Sequence, residues 1–205
     1  MKSLHLPNLF SWSCFNEERN IDFNSVLICL DQGNIVIDPL PLTKHDLSHL
    51  ELLGGIDWIV LTNSDHIRDT VGLQQLFNAR VAGPAAEKDN FDYACDRWLA
   101  DGDRVDRGLE VIAMDGSKTP GELCLVYNDT TLITGDLIRA HNPNTLITLP
   151  EPKLKDPPVA FGSIRRLTEF TQIETVLVGD GWHLFANGYE ELCALVGRLE
   201  KSINL

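Results

Sequence analysis

The stretch LTNSDHIRDTVGL, residues Leu61–Leu73, poses the question that decides the fold. It follows an apolar run, IDWIV (Ile56–Val60), that reads as a buried strand. It leads into VGLQQLF, whose apolar residues recur at helical spacing, so a helix is expected from about Asp65 to Phe77. Asp65, His66, Arg68 and Asp69 crowd the turn between them. Two carboxylates, an imidazole and a guanidinium at a strand exit allow two readings. Ligands bind beyond strand ends in open α/β sheets, so this is a candidate metal or ligand site. Equally, Asp65 could N-cap the helix while Asp69 pairs on the surface.

Working outward, DFNSVLICL (Asp22–Leu30) and NIVID (Asn34–Asp38) are β-rich runs separated by DQG, a hairpin signal. LTKHDLSHLELL (Leu42–Leu53) reads as a helix, with Thr43 as N-cap and Gly54-Gly55 as a stop. ARVAGP (Ala79–Pro84) is a short strand, and residues 86–99 are expected to be helical. The second half supplies LEVIAM, then ELCLVYN and TLITG joined at Asn128-Asp129, another hairpin signal. Residues 141–158 carry five of the ten prolines and read as a long loop, the lid or wall of a site. A helix near 159–170, a strand ETVLVG (Glu174–Gly179) and an amphipathic helix YEELCALVGRLEKSI complete the chain. Each half thus gives a hairpin, a helix, and a strand with polar residues just past its end. The expected architecture is one domain, residues 1–205, built as a four-layer α/β/β/α sandwich.

At 205 residues the chain can bury a proper core, and its 43% apolar and 23% charged residues are ordinary for a globular protein. A net charge of -13 argues against nucleic acid, which needs a basic face. No apolar run approaches the ~20 residues that span a bilayer, and the first twenty residues lack the apolar segment of a signal peptide. The five cysteines, Cys14, Cys29, Cys95, Cys124 and Cys193, form no CxxC pair. Cys29, Cys124 and Cys193 sit in apolar runs and read as reduced core residues of a cytoplasmic protein. The expected partner is a small-molecule substrate or ligand; nothing here fixes an oligomeric state.

Polar clusters recur where strands end: TNSDHIRD, GSKTPGE (Gly116–Glu122), TGDLIRAH (Thr134–His141) and VGDGWH (Val178–His183). They are four candidate walls of one site. In these clusters the sequence resembles the metallo-β-lactamase superfamily. Asn24-Ser25 and Ile37-Asp38-Pro39 are similar to that family's opening strands. TNSDHIRDTVGL is similar to its THxHxDH loop and Gly-Gly-Leu helix start, SKTPG (Ser117–Gly121) to its GHTPG loop. Gly135-Asp136 matches its metal-bridging aspartate, and Gly179-Asp180-Gly181 its GHG turn.

The resemblance implies the sandwich fold and a metal-dependent hydrolase, but most metal ligands are substituted. One register puts Ser64, His66, Arg68 and Asp69 on the ligand positions of the first loop, the other Asn63, Asp65, Ile67 and Arg68. Lys118 replaces the fourth histidine and Asp180 the last, and only Asp136 matches outright. The implied ligands are His66, Asp69, Asp136 and Asp180, enough for at most one divalent ion: Mn, Fe, Mg or Zn. Like charges ~4 Å apart cost on the order of 4 kcal/mol at an effective dielectric of ~20, so a cluster of acids needs some cation. It can be a metal, which would activate a bound water for hydrolysis. It can also be Lys118 and Arg68, either stabilising an oxyanion in a metal-free hydrolase with Asp136 or His66 as base, or serving a non-catalytic domain that binds a small molecule or partner. Asp38 is expected to buttress the site. His183, three residues past Asp180, is a further candidate, and His141 a lesser one. His5, His45 and His49, with Arg165 and Arg166, read as surface residues.

Overall fold

Chain order becomes sheet order in the first unit of the structure, a computed structural model that describes residues 1–203. That unit, Met1–Leu99, holds seven strands. They are β1 (Lys2–Ser3), β2 (Leu9–Asn16), β3 (Ile21–Ile28), β4 (Ile35–Ile37), β5 (Trp58–Val60), β6 (Arg80–Pro84) and β7 (Arg97–Leu99), adjacent in that order. The first four pair antiparallel; from β4 onward each pairs parallel with the next. Parallel neighbours need crossover connections, supplied by α1 (Lys44–Leu52) between β4 and β5 and by α2 (Thr70–Phe77) between β5 and β6. Thr43 caps α1 as expected, its side chain accepting from Asp46 N. Trp12, Leu27, Val36, Leu50, Ile59 and Leu61 are buried together in the core of this unit.

The second unit begins at Ala100. Its strands are β8 (Arg104–Asp106), β9 (Leu109–Met114), β10 (Glu122–Tyr127), β11 (Thr131–Ile133), β12 (Ile138–Asn142), β13 (Thr145–Thr148) and β14 (Thr175–Leu177). Five of them form a sheet in the order β14-β11-β10-β9-β8, and β12 and β13 pair as a separate ribbon. The β10–β11 turn has Asn128 at φ 48° and Asp129 at φ 61°, the left-handed conformations that a tight hairpin turn favours and that Asn and Asp tolerate. β11 and β14 are parallel and in register, Ile133 opposite Leu177. The helices α3 (Pro157–Arg166) and α4 (Gly188–Ile203) contribute Ile164, Leu192 and Leu195 to a core shared with Cys124, Val126 and Val176.

Both units are α/β, as the sequence implies. Several local expectations need correction. Residues 86–99 are not a helix: a 3-10 segment (Ala85–Asn90) is followed by β7. Asp96 Oδ2 accepts from Val81 N (2.7 Å) and Phe91 packs edge-on against Trp98, so tertiary pairing overrides helix propensity. The helix expected from Asp65 is broken at Arg68 (φ 43°) into a 3-10 turn, Ser64–His66, and α2. Residues 141–158 are not one loop. They form the hairpin arm β13, a 3-10 turn, and the start of α3, where Pro157 and Pro158 occupy the first helical turn behind the N-cap Asp156. Cys124 is buried, but Cys193 is exposed on α4 and Cys29 only half-buried; all five thiols are unbridged. No helix among the described residues is long and apolar enough to cross a membrane.

Capping and core packing carry separable energies in α1. Thr43→Ala should cost about 1 kcal/mol, whereas Leu50→Ala, which empties a fully buried position, should cost about 2–5 kcal/mol. Urea denaturation of both variants checks the ranking.

Candidate functional site

In the first unit the polar cluster is organised by Asp38, which closes β4. Its Oδ1 accepts from Thr62 N (2.8 Å), and its Oδ2 from Thr62 Oγ1 (2.6 Å) and His66 Nδ1 (2.8 Å). All three residues are buried. Thr62 Oγ1 also lies 3.0 Å from His66 Nδ1, so the three side chains form one buried cluster. The carbonyl of Asp38 accepts from Ser25 Oγ (2.6 Å) and from Arg68 Nη1 (3.0 Å), which also donates to Asn24 O (2.9 Å). Arg68 lies 5.6 Å from the Phe23 ring centroid. It is a brace across the strand ends. Asn63 rather than Asp65 caps the 3-10 turn, accepting from Asp65 N (3.0 Å), and Asp65 is exposed. Asp69 occupies the N-cap position of α2 without a side-chain capping bond, and burial raises its pKa.

The second unit brings three polar loops together, and its strand register explains how. From Ile133 to Asp136 and from Leu177 to Asp180 the chain advances by the same three residues, so the two aspartates leave a parallel, in-register pair side by side. Arg139 joins them. Its Nη1 is 3.2 Å from Asp180 Oδ2, its Nη2 3.6 Å from Asp136 Oδ1, and its Nε donates to Asp136 O (3.1 Å). Lys118 Nζ lies 2.6 Å from Asp136 Oδ2, and His141 Nε2 3.4 Å from Asp180 Oδ2. Gly179 packs against Gly135: a Cβ there would meet Gly135 O at 2.8 Å.

Behind these pairs lies Glu122, fully buried at the start of β10. Its Oε1 accepts from Asp136 N (2.6 Å) and Leu137 N (2.7 Å), and its Oε2 from Ser117 Oγ (2.6 Å). One carboxylate therefore ties the SKTPG loop to the TGD loop. Burial, reinforced by the charge on Asp136, pushes the Glu122 pKa up to about 7 despite these donors. Asp180 is also raised, because desolvation outweighs the attraction of Arg139.

Of the sequence candidates, Lys118, Asp136 and Asp180 are thus brought into one network, and His66 is placed against Asp38. Arg68, expected as a stand-in for a metal, is committed instead to backbone carbonyls. His183 Nδ1 accepts from Val178 N (3.2 Å), within its own turn. Glu122 and Arg139 had no role in the sequence reading. Glu122 carried a signal all the same: a lone acid opening an otherwise apolar strand.

The ligand set His66, Asp69, Asp136 and Asp180 does not fit a divalent ion as it stands. Among the described residues, no three His, Cys, Asp or Glu side chains are arranged to hold one. The chemistry of the donors says why. Asp136 is held by an ammonium and a guanidinium, and Asp180 by that guanidinium and an imidazole. A protonated lysine or arginine cannot ligate, and it repels a second cation.

With this geometry in hand, comparison with known proteins places the chain. The metallo-β-lactamase superfamily profile matches residues 1–199, and the chain belongs to that superfamily. Its fold is that of solved family members. It is similar to a metallo-β-lactamase from Pontibacter korlensis at 15% identity (TM-score 0.73, covering 94% of each chain). It is similar to the metallo-β-lactamase FIM-1 from Pseudomonas aeruginosa, solved in a mono-zinc form, at 13% identity (TM-score 0.71, 96% of this chain and 92% of that one). The TTHA1623 protein, solved in a di-iron-bound form, is 18% identical (TM-score 0.66, 87% and 96%). No curated protein matches the sequence significantly.

Glu122 has a consequence for stability. Its folded pKa, about 7, lies above the ordinary carboxylate value, so between roughly pH 4.5 and 7 the folded state binds more protons than the unfolded one. Its contribution is fully favourable at the acidic end of that window and is lost as pH rises through 7. The melting temperature should fall over this range, and Glu122→Gln, which keeps an oxygen for the two amides and can donate to Ser117 Oγ where Glu122 accepts from it, should flatten the fall. Thermal melts at half-unit pH steps check it.

Proposed function

We propose that this chain is a small-molecule-binding protein on the metallo-β-lactamase fold, in which fixed internal charges have taken over from bound metal ions. One observation carries the reading: Lys118 Nζ stands 2.6 Å from Asp136 Oδ2. The single residue that matches a family ligand outright is neutralised by a lysine at another ligand position. The side chain of Asp136 is almost fully buried and that of Lys118 about a quarter exposed (6% and 27%), so the pair reaches from the interior toward the surface. A ligand arriving there meets a positioned ammonium and carboxylate, groups suited to hydrogen-bonding polar functions.

The metal-dependent hydrolase implied by family membership is the competing reading. The zinc and di-iron forms of its relatives favour it. In this chain it would require Asp136 to exchange its ammonium and guanidinium partners for an ion. If turnover survives without metal, Lys118 is the group placed to stabilise an oxyanion.

Elemental analysis of protein purified without chelators, run beside esterase, thioesterase and phosphodiesterase screens, separates the readings. We expect well under one metal per chain and no turnover that chelation abolishes. One or two tightly held ions, with hydrolysis lost on chelation and in Asp136→Asn, would establish the hydrolase instead. In the same material Lys118→Ala should destabilise the protein by about 1–2 kcal/mol, because it removes the nearer cation of a buried carboxylate and leaves it the longer contact with Arg139. A melt unchanged by that substitution would show that Lys118 compensates nothing.

A further inference from the structure

A cavity of about 550 Å³ opens at the end of the second unit opposite the aspartates. Its walls are Thr130 beside the β10–β11 turn, residues 171–174 leading into β14, and residues 185–190 running into α4. β11 and β14 are parallel, entered past Thr130 and Glu174 and left toward Asp136 and Asp180. The cavity and the Lys118–Asp136 pair therefore lie at opposite ends of the same two strands.

Backbone bonds fix the walls. Thr130 O accepts from Glu174 N (2.9 Å) and Thr175 N (3.1 Å), Gly188 N donates to Glu174 O (3.0 Å), and Tyr189 N donates to Ile173 O (2.8 Å). The segments approach so closely at Gly188 that a Cβ there would fall 2.9 Å from Glu174 O. One side of the cavity is a large apolar side chain left at the surface: Phe185 is 50% exposed. Its ring is held all the same, edge-on to the His183 ring with 6.0 Å between centroids. His183 is in turn anchored by Val178 N, which donates to its Nδ1. A positioned, half-exposed ring beside a pre-formed cavity is a platform for a ligand.

The lining selects the charge of that ligand. Residues 128–130, 171–174 and 185–190 include no lysine, arginine or histidine. Glu174 and Glu190 line the cavity and are exposed, and Tyr189 adds a second aromatic ring. A helix start ordinarily draws an anion, but α4 carries Glu190 and Glu191 in its first turn, which offset that partial charge. Carboxylates beside aromatic faces suit an organic cation, whose charge is attracted by the acids and by the electron-rich rings alike. A metal ion would leave the rings and most of the volume unused. We propose that this cavity binds an alkylammonium ligand, a primary or quaternary amine whose charged head meets Phe185 and Tyr189 with Glu174 and Glu190 beside it. The site is separate from the Lys118–Asp136 pair and does not depend on the role of that pair.

Titration of the full chain with tetramethylammonium, choline and butylammonium chlorides, followed by backbone amide NMR, tests this. At least one salt should bind saturably in the millimolar range or below, with its largest shifts in residues 171–174 and 185–190. The neutral carbon isostere of the tightest binder (dimethylbutanol where that is choline) should bind at least about fivefold more weakly. Phe185→Leu, which keeps an apolar side chain and removes the ring face, should weaken binding by about fivefold as well. E174Q/E190Q should weaken it and remove most of its salt dependence. All three positions are exposed, and thermal melts check that the variants stay folded. No saturable shift with any of the three salts would overturn the proposal. So would a neutral isostere that binds as tightly, or affinity unchanged in both variants. Shifts centred on residues 117–122 and 135–141 would overturn it too, and would place the amine at the Lys118–Asp136 pair instead.

Discussion

Buried negative charge is the constraint around which the second unit is built. Glu122, Asp136 and Asp180 lie at one end of it, each almost wholly removed from solvent. Like charges ~4 Å apart cost on the order of 4 kcal/mol at an effective dielectric of ~20, a large fraction of the ~5–15 kcal/mol that holds a domain folded. Each acid is compensated in its own way. Glu122 takes two backbone amides and a hydroxyl and has a raised pKa. Asp136 is neutralised by Lys118 and Arg139, and Asp180 by Arg139 and His141. Two side chains, Lys118 and Arg139, thus carry much of that burden.

The same logic runs through the first unit on a smaller scale. Asp38 is buried at the end of β4 and is satisfied by Thr62 and His66, while Arg68 closes the backbone around it. Both arrangements hold acidic side chains just past the ends of parallel strands. What such groups can do follows from what they already touch.

Much of the fold was legible in the sequence because its strand exits carry short motifs in a fixed order, and five weak matches in sequence constrain a topology strongly. The missed elements differ in cause. β7 is made by tertiary pairing in a segment expected to be helical, whereas β13, TLIT, is a short β-prone run set among the prolines of residues 141–158. LFSWSCFN of β2 carries the period of a strand only in Phe10–Ser13, where aromatic residues alternate with serines. At the site, Lys118, Asp136 and Asp180 were found through their aligned positions. Arg139 and Glu122 were not, since neither stands where a ligand would. Arg139 matters only because β11 and β14 exit in parallel, and Glu122 because its oxygens reach a loop fourteen residues away. Both are facts of three-dimensional register that no local pattern contains.

The most direct test of the central claim is crystallographic. Crystals grown without chelator and soaked in MnCl2, with data collected near the manganese absorption edge, would show what lies between Asp136 and Asp180. The account predicts the Arg139 guanidinium bridging the two carboxylates, Lys118 on Asp136, and no anomalous peak between them. A manganese peak at that point, with Arg139 displaced from it, would contradict the account and return the protein to the metal-dependent members of its superfamily.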